Sequence, residues 1–576
     1  MKGRLVLVLI AASAWFVLVA ARLAVLQVRD HALYAERASD QQLRVVELDP
    51  PRGTIYDARG RELAVSVPVD SLYALPERVE DPAATAETLA PLLGLDDAAG
   101  RRELEERLSG DRRWVWLKRK LDPPAADAVR ALDLPGLGFV EESKRYYPMR
   151  ELAAPLLGYV GTDDEGLRGL EYLYDDAVSG RAAERAVIRD NRAGSLLFPD
   201  LSFAEPTPGR DLHLTLDATI QHVVEAELFR AVERHRARGG WAVLLEPSTG
   251  AVLAMATYPP YDANRALEHP ELERIRPVTD VYEPGSTFKV VTAAAALEAN
   301  RVDPSDVFDC EMGEIALYGV RINDHKPFGR LTFREVIARS SNVGAIKVGL
   351  RVGAPALHSM IRAFGFGERT GIDLPGESPG AVRGLEEWDR ITPAYVSFGQ
   401  GIAVTPVQLA AAGAAIADGG RLHRPFVVRA VGTGASAART EPLLTGRPIS
   451  QSTALQLERI LEAVFEEGGT AEDARIPGYR LAGKTGTAQK VIDGRYSRTR
   501  FVANFIGFAP ARRPAIAGLV AIDEPRAGLT SGGRVAAPVF AAVAERVLPY
   551  LGVAPRSELH TARRLGPDTG TPGAEG

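Results

Sequence analysis

Cysteine is nearly missing: Cys310 is the only one in 576 residues. A single thiol excludes an intrachain disulfide, a disulfide-built scaffold and a zinc site made of thiolates. Cys310 itself reads as a small, semi-polar residue without a catalytic part. A surplus of positive charge is also missing, since 69 Lys and Arg stand against 75 Asp and Glu, leaving −6. Proteins that grip nucleic acid carry a basic excess to neutralise phosphates, so no nucleic-acid partner is expected. There are nine histidines, and His325 has no second ligand at metal-site spacing, so no metal centre is expected and it reads as a polar loop residue. No cofactor is expected either.

What is present is an ordinary folding composition, 46% hydrophobic and 25% charged. Single cores rarely grow beyond about 250–300 residues, so at least two globular domains are expected. From Leu5 to Ala21 every residue except Ser13 is apolar, and the apolar character continues past Arg22 to Val28. A helix of that length, at about 1.5 Å per residue, crosses a hydrocarbon core of about 30 Å. The alternative is a cleaved signal peptide with a weak small-residue site at Val19, Ala20 and Ala21. The length of the apolar run favours a retained anchor over residues 5–28, with residues 1–4 cytoplasmic. Lys2 and Arg4 before the segment balance Arg22 and Arg29 after it, so charge alone does not orient it.

Between the anchor and Leu212 the chain reads as a mixed α+β region, assigned to residues 29–211. A linker at Ala204–Arg210, with Pro206, Pro208 and Gly209, precedes the alternating Leu212, Leu214 and Leu216 of a strand. A second domain over 212–552 follows. Asp217 is a good N-cap for an amphipathic helix towards His235. The apolar runs Trp241–Glu246 and Ala251–Ala256 flank a turn and predict a β-hairpin. Thr405, Pro406 and Gln408 form a capping box opening an Ala-rich helix that stops at Gly419 and Gly420. A central sheet covered by helices is the expected architecture, in the α/β (α+β) class, and residues 553–576 read as a disordered tail.

Glu283, Pro284 and Gly285 break the chain before a run of helical composition from Ser286 through Lys289 to Ala299. Ser286 and Lys289, three apart, share a face of the first turn, with ends close enough for the amine to take the hydroxyl proton. That requires a neutral lysine, whose pKa of about 10.4 must fall by burial or neighbouring positive charge. Taken alone, the pair is the common pattern of a serine cap and a snorkelling lysine. Two further segments change this: Ser340, Ser341 and Asn342 after a helix-like run from Phe333, and Lys484, Thr485, Gly486 and Thr487 opening a strand that turns at Asp493 and Gly494.

In this order, S-x-x-K, S-x-N and K-T-G-T resemble the three-part signature of the penicillin-recognising serine transferases. Within these, the chain is similar along nearly its whole length to the class B penicillin-binding proteins. R-G-T-I-Y-D-A-R-G-R-E-L-A from Arg52, R-Y-Y-P from Arg145, L-G-Y-V-G from Leu157 and G-L-E-Y from Gly169 resemble their non-catalytic pedestal. Y-E-P-G-S-T-F-K, S-S-N-V-G, F-G-Q-G-I-A-V-T-P-V-Q-L and A-G-K-T-G-T-A resemble their transpeptidase domain.

The resemblance implies a D,D-transpeptidase of peptidoglycan stem peptides, covalently inhibited by β-lactams. It implies catalytic roles for Ser286, Lys289, Ser340 and Asn342. Lys484, Thr485 and Thr487 would hold the terminal carboxylate, and Gly486 would let the strand approach substrate. The backbone amides of Ser286 and Thr487 would hold the oxyanion. It further implies a single-pass protein of the cytoplasmic membrane, catalytic outside it, working beside a membrane-embedded glycan polymerase and other division proteins. S-S-N-V-G and R-I-N-D-H-K look most like the septal cell-division branch. Spore-specific relatives share these features, so an elongation or spore-specific enzyme is the alternative, and an idle scaffold of a wall-synthesis complex a more distant one.

Rival readings fit less well. Gly478, Gly483, Lys484 and Thr485 match a phosphate-binding loop, but no apolar strand precedes them and a D-G hairpin follows where a helix is needed. A class A β-lactamase needs a Glu and Asn pair for deacylation, and no asparagine lies between Asn342 and Lys484. A minor D-alanine carboxypeptidase activity stays open. No E-D-x-x-F-x-x-H segment of a glycosyltransferase precedes Leu212, so glycan polymerisation is not expected.

Overall fold

A computed structural model describes residues 2–31, 34, 43–48, 50–181, 183–189, 196–197, 207–265 and 270–555. The expected tail beyond Pro555 and the first three residues of the expected linker, 204–206, lie outside the described residues. Contacts divide the chain into two units, Met1–Gly53 with Ser179–Gly209, and Thr54–Val178 with Arg210–Gly576.

The first unit contains the expected apolar helix, Lys2–Ala24, which continues as a wider turn over Val25–Arg29. Its apolar span, Gly3–Arg29, is 27 residues with none of its most apolar stretch buried, long and apolar enough to cross a membrane. The same unit holds a three-stranded antiparallel sheet of Leu43–Leu48, Ala183–Arg189 and Leu196–Leu197.

In the second unit, the strand predicted at Leu212 forms over Leu212–Leu214 and lies in the middle of a mixed sheet. It pairs in parallel with Ile55–Tyr56 and antiparallel with Val428–Val431. Hydrogen bonds therefore cross the expected boundary at 211/212. Beyond Ile55–Tyr56 the sheet continues into the long strand Glu62–Ala74, which pairs with Leu137–Tyr146. Three helices, Pro82–Leu92, Ala98–Ser109 and Pro123–Ala131, cover its outer end with Leu89, Leu104, Leu108 and Val129 in a separate small core.

The pedestal-like motifs meet one another and the start of the next domain. Arg145 of R-Y-Y-P donates to the Glu171 carboxylate of G-L-E-Y at 2.7 Å, both buried, and Tyr147 adds a bond at 3.4 Å. Asp57 accepts the backbone N–H of Ala218 at 3.0 Å, while Arg59 and Arg61 reach Asp217 at 2.8 and 2.7 Å. Asp217 meanwhile caps the helix Ala218–Arg234, as predicted.

The larger domain is built on helices α1 (Ala218–Arg234), α2 (Lys289–Glu298), α3 (Asn342–Val352), α4 (Pro406–Ala417) and α5 (Ala537–Tyr550). Its sheet has strands β1 (Gly239–Leu245), β2 (Val252–Tyr258), β3 (Ala482–Ile492), β4 (Arg495–Ala509) and β5 (Ile516–Asp523). The order is β2-β1-β5-β4-β3, antiparallel throughout, so β3 is an edge. The predicted hairpin is β1–β2, and α4 carries the predicted capping box.

Both faces of this sheet are covered, which is why β1 is buried at every residue. Alternate residues serve opposite cores. Trp241, Val243 and Leu245 join the core containing residues of α2 and α4, while Ala242 and Leu244 join one with Leu228 of α1 and Phe540 of α5. Burying each large apolar side chain contributes about 1.5–3 kcal/mol. Asp493 and Gly494, both at positive φ, turn β3 into β4. That is the two-residue hairpin turn an Asp-Gly pair favours.

Candidate active site

Two pieces of chain far apart in sequence converge beside edge strand β3. The first is a tight 3₁₀ turn, Gly285–Phe288, that feeds α2 at Lys289. The predicted helical start at Ser286 is thus a tighter turn, with φ of +58° at Gly285. Glycine is needed here because β3 presses against it: a Cβ at Gly285 would lie 3.3 Å from the Ala488 backbone.

The second piece is the joint between a short helix, Phe333–Ala338, and α3. Ser340 sits there at φ +63°, a conformation that non-glycine residues seldom adopt and that recurs at functional sites. Ser341 caps α3 by accepting the N–H of Gly344 at 2.9 Å and donates to Asp324 at 2.7 Å. The Asp324 carboxylate also accepts the backbone N–H groups of Asn342 and Val343, the latter at 3.1 Å. A carboxylate at a helix N-terminus satisfies orphan donors and the positive end of the dipole.

The lysines tie these pieces together. Lys289, fully buried, donates from Nζ to the Ser340 carbonyl at 2.8 Å, to Ser340 Oγ at 3.3 Å and to Asn342 Oδ1 at 2.8 Å. Burial pulls its pKa down to about 7, although the Asp324 charge opposes this. Lys484 on β3, also fully buried, donates to Ser340 Oγ at 2.9 Å and to the Thr485 carbonyl at 3.0 Å. Burial and the Lys289 charge hold its amine well below the ordinary lysine range. No hydrogen bond joins Ser286 to Lys289 among the described residues. A buried ammonium seeks as many acceptors as it can reach, and Ser340 and Asn342 supply three.

Ser286, Ser340, Asn342, Thr485 and Thr487 all line one cleft of about 520 Å³. Thr485 Oγ1 donates to Thr470 Oγ1 at 2.7 Å, and Thr487 Oγ1 accepts the Gly532 N–H at 3.2 Å. Asn342 Nδ2 donates to the Asn323 carbonyl at 2.9 Å, so part of that amide is already engaged. A Cβ at Gly486 would come 2.4 Å from Asn504 Oδ1 on the neighbouring strand, so a glycine here serves packing between the strands.

Sequence reasoning did not find Asp324, Thr470, Glu472, Asp473 or Arg534 as neighbours of the site. Glu472, Asp473 and Arg534 line the cleft, with Arg534 paired to Asp473 at 3.1 Å. Only Asp324 had a signal, its place in R-I-N-D-H-K. His325 beside it is a loop residue, as expected, that also lines the cleft, its pKa held below the ordinary value by burial and by Lys289. Among the described residues no group of three or more His, Cys, Asp or Glu is placed to hold a metal.

Comparison with known proteins places this geometry. Residues 240–545 match the penicillin binding protein transpeptidase domain, and residues 47–214 the penicillin-binding protein dimerisation domain. Stage V sporulation protein D of Bacillus subtilis is 34% identical over 96% of this chain and 87% of its own length. The peptidoglycan D,D-transpeptidase FtsI of Escherichia coli is 36% identical over 93% of this chain and 89% of its own. The crystal structure of penicillin binding protein 3 from Mycobacterium tuberculosis, complexed with aztreonam, superposes with a TM-score of 0.68 and 27% identity, covering 89% of this chain and 98% of that one. The two domain matches, the near full-length identity and the shared fold establish that the chain belongs to the class B penicillin-binding proteins, serine-type D,D-transpeptidases.

Proposed function

We propose that Ser286 is the nucleophile of a peptidoglycan D,D-transpeptidase and that Lys289 is its base. The observation that carries this reading is the complete burial of Lys289 among three acceptors, which makes a neutral amine accessible near pH 7. Ser286 Oγ attacks the carbonyl between the two terminal D-alanines while Lys289 takes its proton. The C–N bond then breaks, and the departing D-alanine amine receives a proton through Ser340, which touches both lysines. An amine of a second stem peptide attacks the acyl-enzyme, restores Ser286 and forms the crosslink. Thr485 and Thr487 hold the substrate carboxylate directly. Lys484, closed off from solvent behind them, acts on it through Ser340, to whose Oγ it donates at 2.9 Å. The amides of Ser286 and Thr487 hold the oxyanion, where losing one donor costs about 3–4 kcal/mol of barrier.

Penicillin forms the same acyl bond in this reading, which the aztreonam complex of the mycobacterial relative supports. The protein sits in the cytoplasmic membrane through residues 5–28, with its pedestal (29–211) and transpeptidase domain (212–552) outside. It works beside a membrane-embedded polymerase, for whose helix Ala11, Ala12, Ser13 and Ala14 offer close packing. Its place is septal wall synthesis, which the likeness to FtsI supports; the likeness to stage V sporulation protein D favours a sporulation enzyme as the second reading. Mass spectrometry after exposure to a fluorescent penicillin tests the core of the proposal. The adduct belongs on the Ser286 peptide and vanishes in Ser286→Ala; an adduct elsewhere in that variant refutes the assignment. Depletion that gives filaments supports the septal role, and depletion that spares division but blocks spore formation overturns it.

A further inference from the structure

The two amides assigned to the oxyanion come from separate pieces of chain, Ser286 from the turn Gly285–Phe288 and Thr487 from β3. Such donors work only when both stand about 3 Å from the point where charge develops. Their spacing is therefore set by whatever fixes the turn against the strand. Backbone bonds do not fix it. The Gly285 N–H goes to the Gly399 carbonyl at 3.0 Å, outside the sheet, and Thr287 Oγ1 donates back to the Pro284 carbonyl at 2.8 Å. Among the described residues one hydrogen bond joins residues 284–288 to the sheet: Asn504 Nδ2 of β4 donates to the Pro284 carbonyl at 3.3 Å.

The path of that side chain crosses β3. Asn504 stands opposite Gly486 in the β3–β4 register, and side chains paired across two strands share a face. Its amide lies over the bare glycine: a Cβ at Gly486 would come 2.4 Å from Oδ1 and 3.0 Å from Nδ2. The side chain thus passes beside the residue preceding Thr487 and ends on the carbonyl two residues before Ser286. One amide group touches both pieces of chain that carry the donors.

Stability does not account for a polar side chain at this place. Asn504 is fully buried, and its Oδ1 has no hydrogen-bond partner among the described residues. A buried carbonyl oxygen left unpaired destabilises a fold, and an apolar side chain of the same shape avoids the loss. Nor does Pro284 depend on Asn504, because Thr287 already bonds the same carbonyl. The other contact of Nδ2, to the Val502 carbonyl at 3.5 Å, is long and stays on its own strand. What the Asn504–Pro284 bond adds is a fixed distance between the turn and β3.

We propose that Asn504 is a positioning residue for acylation: it clamps the turn that carries Ser286 to β3 and so holds the Ser286 and Thr487 amides at the spacing the oxyanion needs. The inference rests on Ser286 as the nucleophile. Its test uses the full chain in detergent, with Asn504→Leu, which keeps the volume without the donor, and Asn504→Ala, which removes the amide altogether. Stopped-flow acylation by a fluorescent penicillin over a range of concentrations separates the dissociation constant of the first complex from the acylation rate constant. In that step the bond from Ser286 Oγ to the lactam carbonyl carbon forms, the lactam C–N bond breaks, and the ring nitrogen takes up the serine proton. Label bound at exhaustion counts competent molecules, so any misfolded fraction cancels. The rate constant is expected to fall about tenfold or more in both variants while the dissociation constant stays within about twofold, and Asn504→Leu is expected to melt no lower than the parent. A rate constant within about twofold of the parent's in either folded variant overturns the proposal, as does a loss confined to the dissociation constant. If neither variant folds to a form that takes label, Asn504 is a structural residue and the positioning role falls. Label found in the parent on a residue other than Ser286 removes the reading on which the inference rests.

Discussion

Lys289 and Lys484 share one acceptor: both point their amines at Ser340 Oγ, at 3.3 and 2.9 Å. Two buried ammonium groups on one hydroxyl repel each other, so at least one is neutral at working pH, and their titrations belong to the pair.

Acylation should therefore rise with pH through a midpoint near 7, the value to which burial pulls Lys289, and level off above it. Below the midpoint Lys289 is protonated and cannot take the serine proton. The sign for stability follows from the same shift. Between about 7 and the ordinary 10.5 the unfolded chain binds the proton that the folded one has released, so stability rises with pH there. Stopped-flow acylation by a penicillin from pH 5 to 9 checks the rate; a flat profile would remove Lys289 as the base. Lys289→Arg, which stays charged, should be nearly inactive at every pH.

Asp324→Asn should lower the plateau rate about tenfold while moving the acidic limb to lower pH. The carboxylate holds Ser341 and the first amides of α3, and its charge opposes the loss of the proton from Lys289. Asparagine keeps an acceptor for those amides but loses the charge, which at a helix N-terminus contributes about 0.3–1 kcal/mol. A slower variant whose limb has not moved would show that Asp324 acts on position alone.

Arg145→Met and Glu171→Gln should each destabilise the protein by about 3–5 kcal/mol, because each strands a buried charge or its partner. Combining Arg145→Met with Glu171→Leu should recover much of the loss. Thermal unfolding of the three variants decides this; additive losses in the double variant would contradict it.

Gly486→Ala should cost about 1–3 kcal/mol by overpacking against Asn504. Asn504 Nδ2 donates to the Pro284 carbonyl at 3.3 Å, directly ahead of the turn that carries Ser286, so acylation should slow as well. A melting temperature and acylation rate equal to the parent's would show that the strand absorbs the methyl group.

What was legible from residue order alone depends on interactions a few positions long. The Asp217 cap, the Thr405–Gln408 capping box, the β1–β2 hairpin and the Asp493–Gly494 turn all form where composition places them, because caps and turns are satisfied by near neighbours. The order of Ser286, Lys289, Ser340, Asn342 and the Lys484–Thr487 run pointed to the candidate site for the same reason, as short motifs of fixed spacing. Tertiary structure alone decided the state of those groups. Lys289 loses its water to Ser340 and Asn342, 51 and 53 positions away, and Lys484 reaches the same hydroxyl across 144. Asp324 becomes a helix anchor only once its loop lies over α3, and Gly486 is bare because Asn504 of the next strand fills its side. Desolvation and close packing depend on everything that surrounds an atom in space, and spacing along the chain carries no record of that.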